Sequence, residues 1–411
     1  MKIALLGYRS SPFSGGQGIY LHYLSRALSE RGHEVDVISG EPYPHLDDGI
    51  RLVKLPGLNL YQHEEPWRGF SPAVFKNLTN LKEYASVFTG GFPEPYTFGK
   101  RVFNYLKDHR HEYDIVHDNQ TLSWGVLKLQ DIGVPLVTTI HHPITRDLEI
   151  ALAQEAKVTM RLLIRRWHMF LRMQSRVAQK LHHIVTVSSA SARDIEAAFG
   201  VAPERIDVVP NGVDTGVFKP RPRPAGPLRL ISTASADQPL KGGTHLLRAF
   251  ADLRREFPEL RLTYITKPRP EGETQRLIDT LDLAGAIDFY NGLSTEEMAA
   301  LYAHADIAVA PSEYEGFGLP AVEAMASGIP LVSSDGGALP EVVGDAGEIV
   351  PAADAKALAT AIRRLLVDEQ RRADLSCAGL TRVAEKFTWD EAAAALEPIY
   401  ARVLQERNLA A

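Results

Sequence analysis

Short apolar runs rich in valine and isoleucine recur along the chain, and each is followed by a longer stretch of helical period. Parallel β/α units produce that rhythm. In the first half the runs are KIALLGY (2–8), HEVDVIS (33–39), DIVHDN (114–119), PLVTTIHH (135–142), HHIVTVS (182–188) and IDVVPN (206–211). Helical stretches fall at 18–31, 95–109, 121–131 and 189–199, with a long one around 147–180. The segment KPRPRPAGP (219–227) then interrupts, because proline at that density continues neither helix nor sheet. The pattern restarts with LRLISTAS (228–235), LRLTYITK (260–267), IDFYNG (287–292), DIAVAPS (306–312), PLVSSD (330–335) and GEIVP (347–351), and after Pro351 the chain reads as helix with a break near FTW (387–389). Two doubly wound Rossmann-like α/β domains are expected, 1–219 and 226–388. Open sheets of this kind bind ligands outside the carboxyl ends of their strands, so two in tandem should face a central cleft lined by the loops that follow strands.

Composition narrows the partners. At 411 residues, 45% hydrophobic and 23% charged, the chain has the balance of a soluble globular protein of about two domains. A formal net charge of -6 argues against nucleic acid, whose binders carry a basic excess. The single cysteine, Cys377, allows no internal disulfide and suits a reducing compartment, so a cytoplasmic location is expected. The apolar run at the N-terminus is too short for a secretory signal, and no uninterrupted apolar window is long enough to span a bilayer.

The densest chemistry lies in PSEYEGFGLPAVEAMASG (311–328). A strand ends at Ser312, Gly316 and Gly318 permit a tight turn, Pro320 suits the start of a helix and Gly328 its end. Glu315 then precedes the helix and Glu323 falls in its first turn. A helix N-terminus beside a glycine loop is an anion site suited to a diphosphate, and carboxylates on either side accept hydrogen bonds from sugar hydroxyls. A plain dipole-stabilising Glu323 and a solvated Glu315 fit this segment alone equally well.

The stretch resembles the E-x7-E signature of the retaining glycosyltransferases of family 4, phosphatidylinositol mannosyltransferase-like enzymes among them, which share the two-domain GT-B fold. The resemblance implies that Glu315 contacts the transferred sugar and Glu323 the nucleotide ribose, with Gly316, Phe317, Gly318 and Leu319 along the donor. FSGGQGIY (13–20) is similar to the family's glycine pair against the donor diphosphate, matched by Gly15 and Gly16. It is not a dinucleotide fingerprint, since Leu21 stands where the third glycine belongs. His141 matches the family's histidine near the transferred sugar, ahead of its neighbour His142. In ASADQPLKGG (234–243), Lys241 matches the phosphate-binding lysine, whereas Ser235 and Ala236 stand where the family carries an arginine. Lys267 is the candidate substitute. SDGGALPEVVGDAGEIVP (334–351) makes Gly336 and Gly337 backbone neighbours of the donor, and the last helix, 390–411, should pack back on the first domain.

The reaction implied is transfer of a sugar from a UDP- or GDP-type nucleotide sugar to a hydroxyl with retained configuration, the leaving diphosphate helping to deprotonate the acceptor. No metal or other cofactor is expected, as there is no Asp-x-Asp motif. A nicotinamide-dependent oxidoreductase fails on the broken fingerprint and on Asp36, which lies inside its strand. A non-catalytic nucleotide-sugar sensor on the same fold is the alternative, favoured by the missing arginine. Residues 157–180 hold seven Lys or Arg and no Asp or Glu. On a helix this places Lys157, Arg161, Arg165, Arg172, Arg176 and Lys180 opposite Met160, Leu163, Trp167, Phe170, Leu171 and Val177. That stripe either lies solvated on a domain helix or meets an anionic membrane surface, which would put the protein at the inner face of the membrane.

Overall fold

The computed structural model describes residues 1–11, 16–62, 65, 70–235 and 237–410. Two compact units emerge, one of residues 1–187, 191–209 and 393–411 and one of 188–190 and 210–392. The first holds seven strands, β1 (Lys2–Gly7), β2 (Glu34–Ser39), β3 (Arg51–Lys54), β4 (Ile115–Asn119), β5 (Leu136–Thr139), β6 (Ile184–Thr186) and β7 (Ile206–Val208). The second holds β8 (Arg229–Ser232), β9 (Arg261–Ile265), β10 (Ile287–Tyr290), β11 (Ile307–Ala310), β12 (Leu331–Ser334) and β13 (Gly347–Val350). Every pairing is parallel.

The sheets run β3-β2-β1-β4-β5-β6-β7 and β10-β9-β8-β11-β12-β13. Each winds outward from its first strand in both directions, so the order reverses between β1 and β4 and again between β8 and β11. Loops leaving the carboxyl ends of such a pair diverge to opposite faces and open a crevice, the place where doubly wound sheets hold ligands. Helices on both faces bury the strands, and Ile3, Leu5 and Leu6 of β1, like Leu230 and Ile231 of β8, are at most 1% exposed. Truncating any one of these to alanine costs about 2–5 kcal/mol.

All twelve runs singled out in the sequence form strands. β3 was not expected, because RLVK is too short and too charged to stand out; its Arg51 bonds the buried Asp36 at 2.5 Å, and Tyr113 donates to the same carboxylate at 2.8 Å. Asp36 is therefore committed to an internal ion pair and cannot serve a ribose. The helix at Leu78–Phe88 also escaped the sequence reading. The long stretch around 147–180 divides into helices Thr145–Gln154, Val158–Trp167 and Leu171–Ala178, the last two joined by a tight turn at His168–Phe170.

The first unit's continuous chain ends at Val209, upstream of the boundary expected at 219. Val213 explains the shift: its N–H bonds Phe387 O at 2.8 Å and it bridges Thr388, tying this segment to the second unit. Within the first unit, the helix Trp389–Ala410 is anchored by Arg31 to Glu397 at 2.8 Å and by Tyr400 to His117 at 2.6 Å.

Candidate functional site

In the second unit, the loops after β8 and β11 meet where the strand order reverses. Lys241 lies two residues before the helix Gly243–Arg254: Gly242 caps that helix with φ 66°, and a Cβ there would strike Pro311 O at 1.9 Å. Glycine is obligatory at that approach. Across the gap, the helix Leu319–Ala326 starts at Gly318, φ 96°, which offers no side-chain cap; Pro320 has no N–H and Ala321 N–H bonds Gly318 O at 2.9 Å, so the donor this helix start can offer a ligand is the Leu319 N–H. The two loops are stitched together by Glu313 N–H to Leu240 O at 2.8 Å.

This brings Lys241 Nζ to 2.8 Å from Glu315 Oε1, and Ser312 Oγ donates to the same oxygen at 2.8 Å. The β12 loop closes the other side. Ala338 N–H bonds Glu315 O at 2.9 Å, and a Cβ on Gly336 or Gly337 would lie 2.2 Å from Ser312 O or Glu315 O. A hollow lined by Ser232, Thr233, Ser312, Glu315, Gly318 and Leu339 opens beside the pair. A cation, a carboxylate and a helix start without a side-chain cap around one hollow can bind a diphosphate together with a hydroxyl-bearing ring.

Glu323 sits elsewhere than expected. It is the fifth residue of its helix, beyond the first turn, and only 8% exposed. Its Oε2 faces the buried Tyr302 hydroxyl at 3.5 Å. Burial pushes its carboxyl up to about 8, against a smaller downward pull from Tyr302. A surface role on the helix dipole is excluded by that burial. Phe317 is also inward, its ring 5.8 Å from Phe387 in an edge contact, so it can meet a ligand only through its backbone. Leu319 is half-buried as the first helical residue, and the Gly316 carbonyl accepts from Ser188 Oγ at 2.6 Å. Ser235 is half-buried and Ala236 lies outside the described residues; Lys267 is exposed just past β9, the neighbour of β8.

In the first unit the counterpart is built from the loops after β1, β4 and β5. Gly15 lies outside the described residues. Gly16, φ 72°, caps the helix Gln17–Glu30 with no side-chain hydrogen bond and with open space where a Cβ would be. His141 follows β5, and its Nε2 donates to Asn119 Oδ1 at 2.8 Å while its N–H bonds Gln120 Oε1 at 2.8 Å. Asn119 Nδ2 in turn reaches Gln17 O at 3.4 Å, which orients the amide and leaves Nδ1 of His141 as the acceptor nitrogen. Burial lowers the imidazole to about 3, so it is neutral at physiological pH. His142 is 43% exposed in its side chain, which lies 3.7 Å from Asp147, and it joins this network only through its carbonyl, which accepts from Gln120 Nε2 at 3.0 Å.

Beneath His141 runs a buried chain that no motif announces. Tyr400 OH bonds His117 Nδ1 at 2.6 Å, His117 Nε2 bonds Thr139 Oγ1 at 2.7 Å, and Thr139 Oγ1 lies 3.3 Å from Tyr20 OH. The Tyr20 ring meets the His141 ring edge-on at 4.8 Å. Asn119, Ser312, Tyr20 and Tyr302 thus hold the expected residues in place. Asn119 ends β4 and Ser312 follows β11 by two residues, each at a reversal point, a signal the topology carries and the motif alone does not. Among the described residues no cluster of His, Cys, Asp and Glu could hold a metal ion, and no helix is long and apolar enough to cross a membrane.

Residues 14–217 match the model for Glycosyltransferase Family 4, and 218–382 that for Glycosyl transferases group 1. An MMP alpha-(1->4)-mannosyltransferase of Mycolicibacterium hassiacum is 47% identical over 98% of both chains. A D-inositol 3-phosphate glycosyltransferase of Xylanimonas cellulosilytica is 30% identical over 99% of this chain and 98% of that one. Among solved structures, sucrose-phosphate synthase from Thermosynechococcus elongatus superposes with a TM-score of 0.72 at 23% identity, covering 98% of this chain and 99% of that one. Anabaena HepE in complex with UDP and glucose gives 0.69 at 20%, with the same coverage. The fold is GT-B, as these neighbours have it.

Proposed function

The chain belongs to the family 4 glycosyltransferases, and from that premise we propose that it moves a mannosyl group from a nucleoside-diphosphate sugar to a hydroxyl acceptor with retention of configuration. The Lys241–Glu315 pair at the β8/β11 reversal carries the reading. Lys241 is a preformed cation beside an uncapped helix start, suited to the charge that grows on the departing diphosphate. Glu315 and Ser312 suit the sugar hydroxyls, and neutral His141, with Nδ1 free to accept, suits another. Within the first unit, Gly16 and the helix it caps offer a start suited to an anion, and in the second unit Glu323 suits the ribose. These protein groups meet the charge without a metal. The named relative makes GDP-mannose the first donor to test, against UDP-glucose.

The test is release of nucleoside diphosphate from the donor, followed on adding acceptor. Acceptor-dependent release with an α-linked product supports the proposal; tight donor binding with no release under any acceptor would restore the sensor.

A second element concerns location. The apolar face of 157–180 is split: Phe170, Leu171 and Val177 are buried, whereas Met160, Leu163 and Trp167 are exposed at 36–46%, beside exposed Arg165. Apolar side chains left in solvent within a basic segment support peripheral contact with an anionic membrane.

A further inference from the structure

Positive charge is short at the hollow beside Glu315. Among its described lining residues none is a cation, and Lys241, next to it, is matched by the Glu315 carboxylate at 2.8 Å. A departing nucleoside diphosphate carries roughly three negative charges near neutral pH, so this neutral pair and one helix N–H leave most of that charge unmet. A neighbouring loop has to supply more. β9 pairs with β8 in parallel, from Arg229 opposite Arg261 to Ser232 opposite Tyr264. The register persists beyond both strands: Asp237 Oδ2 accepts from Arg269 N–H at 2.8 Å, across the same 32 positions that separate Ser232 from Tyr264. Between these fixed points that spacing sets Lys267 alongside Ser235, the residue after Ala234 of the hollow's wall.

Asp237 holds this corner. Its φ is 56°, in the left-handed region; its Oδ1 accepts from Thr274 N–H at 3.0 Å, and its own N–H bonds Thr274 Oγ1 at 3.1 Å. A Cβ on Gly272 would come within 2.8 Å of Asp237 Oδ1, so glycine leaves the carboxylate its seat. Burial raises this carboxyl, but the bonds from Arg269 and Thr274 outweigh it and hold the group below its ordinary value, ionised at neutral pH. Tyr264 of β9 is fully buried, and its hydroxyl lies 2.4 Å from where a Gly243 Cβ would be, which packs β9 under the start of the helix that follows Lys241. The loops carrying Lys241 and Lys267 therefore share one anchored corner. Lys267 is exposed, and among the described residues its ammonium has neither hydrogen bond nor ion pair. The other cations there are occupied: Arg269 is drawn to the Asp237 charge, and His245 Nε2 lies 3.1 Å from Glu313 Oε1. A lysine is a point charge on a four-carbon stem, long enough to cross one strand spacing of ~4.8 Å.

Resting on the glycosyl-transfer reading, we infer that Lys267 is the second cation of the donor site, a diphosphate-binding residue that the β9 loop delivers to the β8 side of the hollow. It meets the departing diphosphate together with Lys241, whose charge Glu315 shares. The experiment titrates the full chain with GDP and with UDP by isothermal calorimetry and follows thermal unfolding without ligand. Lys267→Ala is expected to weaken the diphosphate that the parent binds by about tenfold or more, while the ligand-free Tm stays that of the parent and reports an intact fold. Lys267→Arg keeps the affinity within about threefold of the parent, since the charge is retained. Arg269→Ala leaves the N–H tie to Asp237 in place and changes little. An affinity of Lys267→Ala within about twofold of the parent overturns the inference alone, as does a loss in Lys267→Arg or Arg269→Ala as large as in Lys267→Ala. Binding of neither GDP nor UDP by the parent would overturn the donor reading, and the inference with it.

Discussion

Replacing Glu323 with glutamine should make the ligand-free protein more stable and its nucleotide binding weaker. The carboxyl is 8% exposed, its hydrogen-bonding neighbour is the Tyr302 hydroxyl at 3.5 Å, and burial raises it from the ordinary 4.5 to about 8. Below pH 4.5 the group is neutral in both folded and unfolded chains and no penalty arises. Between 4.5 and about 8 the unfolded chain has lost the proton that the folded chain still holds, so stability falls as pH rises. At pH 7 the difference of about 2.5 units corresponds to about 3 kcal/mol at 1.36 kcal/mol per unit. Glutamine, of the same size and never charged, escapes this. At roughly 2–4 °C per kcal/mol, Tm should exceed that of the parent by on the order of 5–10 °C at pH 7, and by almost nothing at pH 4. Thermal unfolding of both proteins without ligand from pH 4 to 9 reads this directly. A Tm difference that is flat across that range refutes the reasoning. Ribose hydroxyls favour the ionised carboxylate, so nucleoside-diphosphate affinity of the parent should rise up to about pH 8, a trend the variant lacks.

Lys241→Ala and Glu315→Gln should each cost about a hundredfold or more in turnover, about 3–4 kcal/mol in the barrier. Because the two side chains are bonded, Lys241→Ala weakens nucleoside-diphosphate binding, whereas Glu315→Gln releases the ammonium and keeps or tightens it; isothermal calorimetry showing equal losses would reverse the roles, and turnover abolished by EDTA would overturn the metal-free reading. Tyr400→Phe removes the partner of buried, neutral His117, held at about 3 by burial, and should lower stability by about 1–3 kcal/mol in denaturant titration, with a fall in kcat traced through Tyr20 to His141. Sedimentation with anionic but not zwitterionic vesicles is expected at low salt, lost in Arg165→Glu combined with Arg172→Glu; equal recovery in the supernatant with both vesicle types would remove the membrane contact.

The architecture was largely legible because strand alternation reports burial on two faces, and burial is a local property of composition. β3 escaped since its stability comes from pairing with β2 and from the Arg51–Asp36 bond rather than from its own apolar content. The break at His168–Phe170 escaped for a related reason: nothing in the sequence there forbids a helix, and packing of Phe170 and Leu171 decides where the axis bends. Glu315 and Lys241 were found through spacing within glycine turns, yet their mutual bond joins residues 74 positions apart and follows from strand order alone. Glu323 shows the limit most sharply. Its position was read from helix rules as the first turn, but the helix starts at Leu319, one residue before Pro320, which makes Glu323 its fifth residue, buried to face Tyr302. A carboxyl buried against a tyrosine is costly for stability, and that cost is itself the argument for a ligand: hydroxyl donors arriving from a nucleotide would supply the hydrogen bonds that the folded chain withholds.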